Sequence, residues 1–302
     1  MSNGIRDIRR RIRSVKSTSQ ITRAMQMVAA SKMRKAQQAA LMGRPMADEI
    51  YELLTQAVSH AGGFHHPLTT VRPVHTQAVI VVGTDRGLCG ALNSNLLREA
   101  LKFDPENTVY IAVGRKPSQL LTRLKRRVIA EFSYHDMPKF VDARAVSRFA
   151  QELYLNGAVD DVEVLFTDFH STLVQQAAVQ HFLPIGELRP PTIGIHGSRL
   201  EKTIPDAAAV QLHGSSEFMF EPSVEQVLNL LVPQSLNFEM FQVMLEARAS
   251  EHSARMVAMK NATDNASSLI QSLNLEYNKM RQSGITNELL EISSAVMAAS
   301  GA

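Results

Sequence analysis

Apolar and small residues recur at alternating three- and four-residue steps over the last part of the chain. They run through Leu236, Met240, Val243, Ala247, Ser250, Ala254 and Val257, then slip to Ile270, Leu273, Tyr277 and Met280. After a second slip the stripe resumes at Ile285, Leu289, Ile292, Val296 and Ala299. From Ser235 to Ala299 there is no proline and only one glycine, Gly284, so the spacing predicts one continuous helix. At 1.5 Å per residue it would be ~100 Å long, too long to be buried in a small domain. The narrow stripe, near a 3.5-residue repeat, calls for a partner helix. Its slips have the form of stutters and predict a looser supercoil over 258–285.

The partner is predicted at the other end of the chain. Residues 4–60 carry the same pattern through Ile5, Ile8, Ile12 and Val15, then Thr22, Ala29, Met33, Ala36 and Ala40, then Ala47, Ile50, Leu54 and Ala57. Gly43 and Pro45 predict a kink, because proline removes a donor and clashes with the preceding turn. Two long helices at opposite termini predict an antiparallel coiled coil, with the intervening chain inserted at one end of a rod.

In that insertion the pattern changes to short apolar runs. Gln77–Val82, Thr108–Val113, Arg127–Phe132 and Val162–Thr167 read as buried strands, and Ala91–Leu101, Pro117–Leu124 and Asp142–Leu155 as the helices between them. This alternation predicts a mainly parallel sheet covered on both faces. Leu173–Leu183 reads as an edge strand, and 186–216, with Pro190, Pro191 and Pro205, as an irregular crossing back to the rod. The expected division is residues 1–60, an N-terminal coiled-coil helix; 76–215, a central α/β domain; and 217–302, a turn and the C-terminal coiled-coil helix.

Composition adds bounds. The 302 residues are 45% hydrophobic, material for one or two domains with a sizeable core. The single cysteine, Cys89, excludes an internal disulfide and fits a reducing compartment. No apolar run is long enough for a membrane span. The Arg-rich N-terminus has the charge of an organellar transit peptide, but its helical stripe starts at Ile5 and continues past any cleavage point. Charge is uneven: residues 1–44 hold eleven Lys and Arg against Asp7, a net +10 in a chain of net +3. A solvated helix face, an acidic protein partner and a nucleic acid or anionic membrane all fit such a run. The absence of interleaved aromatics argues against nucleic acid.

Candidate chemistry is sparse. Gly83–Gly90, after the first strand, could cradle a phosphate at a helix N-terminus. Its spacing matches neither the dinucleotide fingerprint nor a P-loop, and a tight turn explains it as well. Cys89 has no catalytic histidine placed by motif. The adjacent His65 and His66 lack a third ligand nearby in sequence. No catalytic residues, metal site or cofactor are expected. A nucleotide-binding enzyme built on 77–185 and a nucleic-acid-binding coiled coil are the rival readings.

Four stretches carry a resemblance over nearly the whole chain: Ile5–Gln37 (IRDIRRRIRSVKSTSQITRAMQMVAASKMRKAQ), Gly83–Asn93 (GTDRGLCGALN), Ala249–Ala266 (ASEHSARMVAMKNATDNA) and Tyr277–Ile292 (YNKMRQSGITNELLEI). In order and spacing they resemble the gamma subunit of rotary F-type ATP synthases, of the bacterial type. The resemblance implies an α/β fold with long helices, an antiparallel coiled coil of the terminal helices plus a central Rossmann-like domain. It implies a non-catalytic rotor that stands in the alpha/beta head, contacts epsilon and rests on the c-ring, without nucleic acid. Its implied location is peripheral, on the cytoplasmic face of the bacterial inner membrane. Carried over by position, Met25, Arg255, Arg281, Gln282, Thr286 and Glu288 are the implied rotor–stator contacts, and Phe218, Phe220 and Glu221 the implied c-ring contacts. The chain departs from the family at Ser293–Met297, a bulkier tip, and at Arg248, where the family commonly has Ala or Ser. It also lacks the cysteine-pair insertion of chloroplast homologues, so thiol gating is not expected.

Overall fold

A computed structural model describes residues 2–60, 66–134, 136–185 and 220–300. The chain divides into two compact units, Met1–Val28 with Met256–Ala302, and Ala29–Arg255. Two long helices, α1 (Ser2–His60) and α5 (Val224–Ser300), contribute to both.

The larger unit is built on a five-stranded sheet. Its strands are β1 (Gln77–Val82), β2 (Thr108–Val113), β3 (Val128–Phe132), β4 (Asp161–Phe169) and β5 (Gln175–Leu183), in the order β3-β2-β1-β4-β5. The first four are parallel and β5 is antiparallel to β4. β2 is buried along its whole length and β1 beyond its first residue, as expected for unbroken β-branched and apolar runs sandwiched by helices. Alternate side chains serve two cores. Val79, Val81, Tyr110 and Leu165 pack with Leu92 and Leu96 of α2 (Leu92–Ala100) and Leu121 of α3 (Arg115–Arg123). Ile80, Val82, Ile111 and Val164 pack with Ala143, Val146 and Ala150 of α4 (Phe140–Leu155) and with Leu236, Met240 and Val243 of α5.

The predicted strands and helices are present with ends shifted by a residue or two. α3 starts at Arg115, because Asp85 accepts from the Arg115 amide at 3.0 Å. α4 starts at Phe140 instead of Asp142, since Asp142 caps from inside the first turn, accepting from the Lys139 amide at 2.8 Å. The predicted crossing at 186–216 lies outside the described residues.

In this unit α1 and α5 pair through small residues. Ala36, Ala40, Leu245 and Ala249 form one cluster with Phe169, and Ile50, Leu54 and Ala57 share the main core with Leu228, Val232 and Leu236. α1 runs unbroken through Pro45, and α5 through Pro233. Gly43 lies against the Gln242 side chain of α5, which a Cβ there would displace.

In the smaller unit the two helices are again antiparallel. Gly4 faces Met280, Ile5 faces Gly284, Arg9 reaches Tyr277 and Thr22 meets Thr263. The Arg9 guanidinium donates to the Tyr277 hydroxyl at 2.7 Å and lies over its ring, and the Thr22 and Thr263 hydroxyls are 2.7 Å apart. Met259, Thr263, Ala266, Ile270, Leu273, Tyr277 and Met280 all turn inward at three- and four-residue steps. The first predicted slip is therefore short, because Thr263 and Ala266 carry the stripe that larger apolar residues would have marked.

Candidate functional site

The phosphate-like loop, Gly83–Gly90, is closed by its own chain. The Gly83 amide donates to the Val113 carbonyl and the Lys116 amide to the Thr84 carbonyl, both at 2.9 Å. Gly114 adopts φ +106°, and a Cβ there would come within 2.9 Å of the Gly83 carbonyl oxygen, so only glycine fits that close approach. The buried Thr84 hydroxyl donates to the Arg86 carbonyl at 2.8 Å, and Asn93 Nδ2 donates to Thr84 Oγ1 at 2.9 Å and to Cys89 Sγ at 3.4 Å. Cys89 is buried, and burial pushes its thiol up despite the nearby Arg255 charge. This is an inert, packed thiol.

In an open parallel sheet, ligands bind outside the carboxyl ends of strands where the order reverses, here between β1 and β4. α5 occupies that place. Arg255 donates through Nε and Nη2 to the Gly87 carbonyl, at 3.4 and 3.3 Å, and through Nη2 to the Arg86 carbonyl at 3.3 Å, after β1. Ser253 Oγ donates to the Thr172 carbonyl at 2.9 Å, after β4. The nucleotide-enzyme reading fails physically because the crevice is filled by the chain's own helix.

Behind Arg255 lies a buried ionic cluster. Glu251 accepts from Arg255 Nη2 at 2.7 Å through one oxygen and from Arg248 Nη1 through the other. Arg248 also donates to the Asp136 carbonyl and lies over the Tyr134 ring. Lys32 of α1 pairs with the Asp136 carboxylate, which this hydrogen bond holds below its usual pKa. His252 sits amid these cations. Burial first, then Arg248 and Arg255, lowers its pKa to about 3, so it is neutral and its Nδ1 accepts from Arg255. Arg248, the departure from the family pattern, thus ties α5 to the β3–α4 loop.

The implied contact residues divide sharply. Arg255 is only 12% exposed in its side chain, and its fork is taken up internally. Met25 is half-buried beside the α1 seam, whereas Arg281, Gln282, Thr286 and Glu288 are all exposed. Phe218 lies outside the described residues. Phe220 is half-buried against the main core, and Glu221 is exposed. His66, of the predicted pair, is committed: its Nδ1 accepts from the Leu68 amide at 3.1 Å, capping the short helix Pro67–Thr69.

A feature that periodicity mispredicted is the end of α5. Ile285, Leu289, Ile292 and Val296 were expected to meet a partner helix, yet they are 50–62% exposed, as is Leu290. The reason is geometric: Gly4 faces Met280 and Ile5 faces Gly284, so few described α1 residues remain to pair with α5 beyond that level. Soluble surfaces rarely leave so many large aliphatic side chains together in water without a covering partner.

A family described as ATP synthase matches residues 4–299. The ATP synthase gamma chain of Methylacidiphilum infernorum is 44% identical over 295 residues, covering 96% of this chain and 97% of the relative. That of Opitutus terrae is 43% identical over 296 residues, covering 97% and 98%. Among solved structures, the rotor of Euglena gracilis mitochondrial ATP synthase superposes with a TM-score of 0.65 at 19% identity, covering 94% of this chain and 100% of that one. The central stalk and c-ring of the Tetrahymena thermophila enzyme gives 0.58 at 21% identity, covering 80% and 99%. These two likenesses speak for the fold. With the family matched almost end to end and its relatives above 40% identity, the chain belongs to the ATP synthase gamma chains.

Proposed function

We propose that this chain is the central rotor of a bacterial F-type ATP synthase, coupling ion flow through a c-ring to ATP synthesis and hydrolysis at alpha/beta sites. It has no catalytic role of its own. The observation that carries this reading is the apolar stripe of α5 beyond Gly284, which no partner covers among the described residues. An alpha/beta head would cover it, and epsilon and the c-ring would hold the other end. No helix among the described residues is long and apolar enough to cross a membrane. In this reading the complex holds the chain peripherally, on the cytoplasmic face of the inner membrane.

Rotor action is a population shift. An asymmetric surface contacts each catalytic subunit differently and so biases open against closed sites. In this reading Met25, Arg281, Gln282, Thr286 and Glu288 meet the stator, and Phe218, Phe220 and Glu221 meet the c-ring. Arg255 acts indirectly, by holding the glycine loop against α5. The exposed basic run of α1 suits an acidic sleeve.

The test is isolation of the native chain from gently solubilised membranes. Alpha, beta, epsilon and c subunits should accompany it in fixed proportion, and the purified chain alone should neither hydrolyse ATP nor bind it tightly. Turnover by the single chain, with contaminants excluded, would overturn the reading.

A further inference from the structure

Strands β4 and β5 bring together three side chains that no sequence motif joins. Asp161 and Glu163 are two apart on β4 and so point to the same face, and the register sets His181 of β5 opposite Glu163. Between Val162 and Glu163 the pairing slips, with Phe182 as the extra residue, and bulges of this kind re-aim side chains. One carboxylate oxygen each from Asp161 and Glu163 and one ring nitrogen of His181 lie within 4.8 Å of one another.

The surroundings prepare these atoms as ligands. His181 Nε2 is 2.8 Å from the Pro184 carbonyl. A carbonyl only accepts, so Nε2 carries a proton, and a ring bound to a cation would offer its lone pair from Nδ1. Nδ1 faces Asp161 Oδ1 at 3.4 Å. Two ligand atoms each ~2.1 Å from one tetrahedral ion stand ~3.4 Å apart, so this spacing suits a shared ion. Asp161 Oδ2 is occupied by Gln77 Nε2 at 2.7 Å, which orients the carboxylate and leaves Oδ1 facing the histidine. Glu163 Oε2 is shielded from solvent and has no hydrogen-bond partner among the described residues. The His181 side chain is half-exposed, which gives an ion a path in.

We propose that Asp161, Glu163 and His181 form a three-ligand site for a divalent cation of the Zn²⁺ class, with a fourth position open to water. Mixed imidazole and carboxylate donors suit such ions. Bound there, the cation would clamp edge strand β5 to β4 beside Pro184, with the Pro184 carbonyl and Gln77 holding the ligands in place.

The test uses the full chain with any affinity tag removed. Zn²⁺ is titrated by calorimetry, and Co²⁺ is added in its place to read the visible absorption of a four-coordinate complex. The expected result is a single tight equivalent that raises the thermal midpoint. His181→Ala and Glu163→Gln should each weaken Zn²⁺ binding about tenfold or more. Gln77→Ala, which removes no ligand, should weaken it about tenfold by releasing the Asp161 carboxylate. Circular dichroism of each variant checks the fold, and Glu163→Gln, which preserves shape, covers the case where His181→Ala unfolds. Absence of stoichiometric Zn²⁺ binding, or equal affinity in the wild type and the folded variants, would overturn the site. The three groups would then be an ion pair of protonated His181 with its two acids.

Discussion

Arg255→Lys separates an internal role for this residue from an outward one. The arginine fork reaches the Arg86 and Gly87 carbonyls and Glu251 at once, whereas a lysine ammonium is a point charge that keeps Glu251 and loses the fork. The carbonyl contacts, at 3.3 and 3.4 Å, are long, so each sits at or below the low end of a charged hydrogen bond. Losing them should cost roughly 1.5 kcal/mol of loop closure. Since ~1.4 kcal/mol is a factor of ten, the open loop becomes about tenfold more populated. Cys89 reports this directly, because it is the sole cysteine, buried within the loop. Maleimide labelling of Cys89 in the native chain should therefore quicken about tenfold where closing outruns labelling. Charge does not confound the readout, since lysine keeps the positive charge beside the thiol. Unchanged labelling together with a loss of ATP-driven proton pumping in the assembled enzyme would refute the reasoning and make Arg255 a stator contact.

Three further outcomes are expected. Ala29→Phe should overpack the α1–α5 seam, where Ala29 is 2% exposed, and lower stability in denaturant unfolding by ~1–3 kcal/mol. His252 is held neutral with a pKa of about 3 against 6.5 unfolded. Below pH 6.5 the unfolded chain takes a proton that the native chain refuses, so stability falls with pH by up to about 1.4 kcal/mol per unit. His252→Gln should remove that part of the slope between pH 6.5 and 4 and leave stability flat above it, as measured by urea unfolding across pH. Glu221→Ala should loosen attachment of the head to membranes washed at low ionic strength, by ~1 kcal/mol or more, and leave hydrolysis by the detached head intact. Phe220→Ala should instead lower stability, because Phe220 packs on the core.

Much of this fold was legible because its elements carry local signals. Gln77–Val82 is an unbroken apolar run, and such a run has few alternatives once a helix pattern follows it. The small-residue seam of α1, from Ile5 to Ala57, turns inward at every predicted position. The features that escaped depend on distance in sequence. Periodicity reveals that Leu289 and Ile292 need covering but not whether the cover belongs to the same chain. Gly43 and Pro45 read as a kink, yet the neighbour that Gly43 meets is Gln242 on the opposite helix. The position of Arg255 was readable by resemblance. Its partners, Arg86 and Gly87, lie 169 and 168 residues away and follow only from the sheet order. Asp161, Glu163 and His181 were invisible for the same reason, since a bulged register and not a spacing unites them.

The two kinds of side chain on the last turns of α5 have different mechanical consequences. Covering a large aliphatic side chain is worth ~1.5–3 kcal/mol when complete, so five half-exposed ones offer on the order of 5–10 kcal/mol. Association alone costs a comparable amount, so the stripe of Ile285, Leu289, Leu290, Ile292 and Val296 favours insertion without locking it. The hydrophobic effect is also non-directional, so an aliphatic helix turning within an apolar sleeve meets little change in energy with angle. Hydrogen bonds and ion pairs weaken steeply when misaligned. Arg281, Gln282, Thr286 and Glu288, all exposed just where the α1 seam gives out, would therefore supply the angular preference. Under the proposed function the aliphatic positions act as bearing and the polar ones as catch. Making the polar positions apolar should then smooth the dwell positions of single-molecule rotation before it weakens assembly. The reverse order of effects would show that the polar residues hold the rotor in place and do not register its angle.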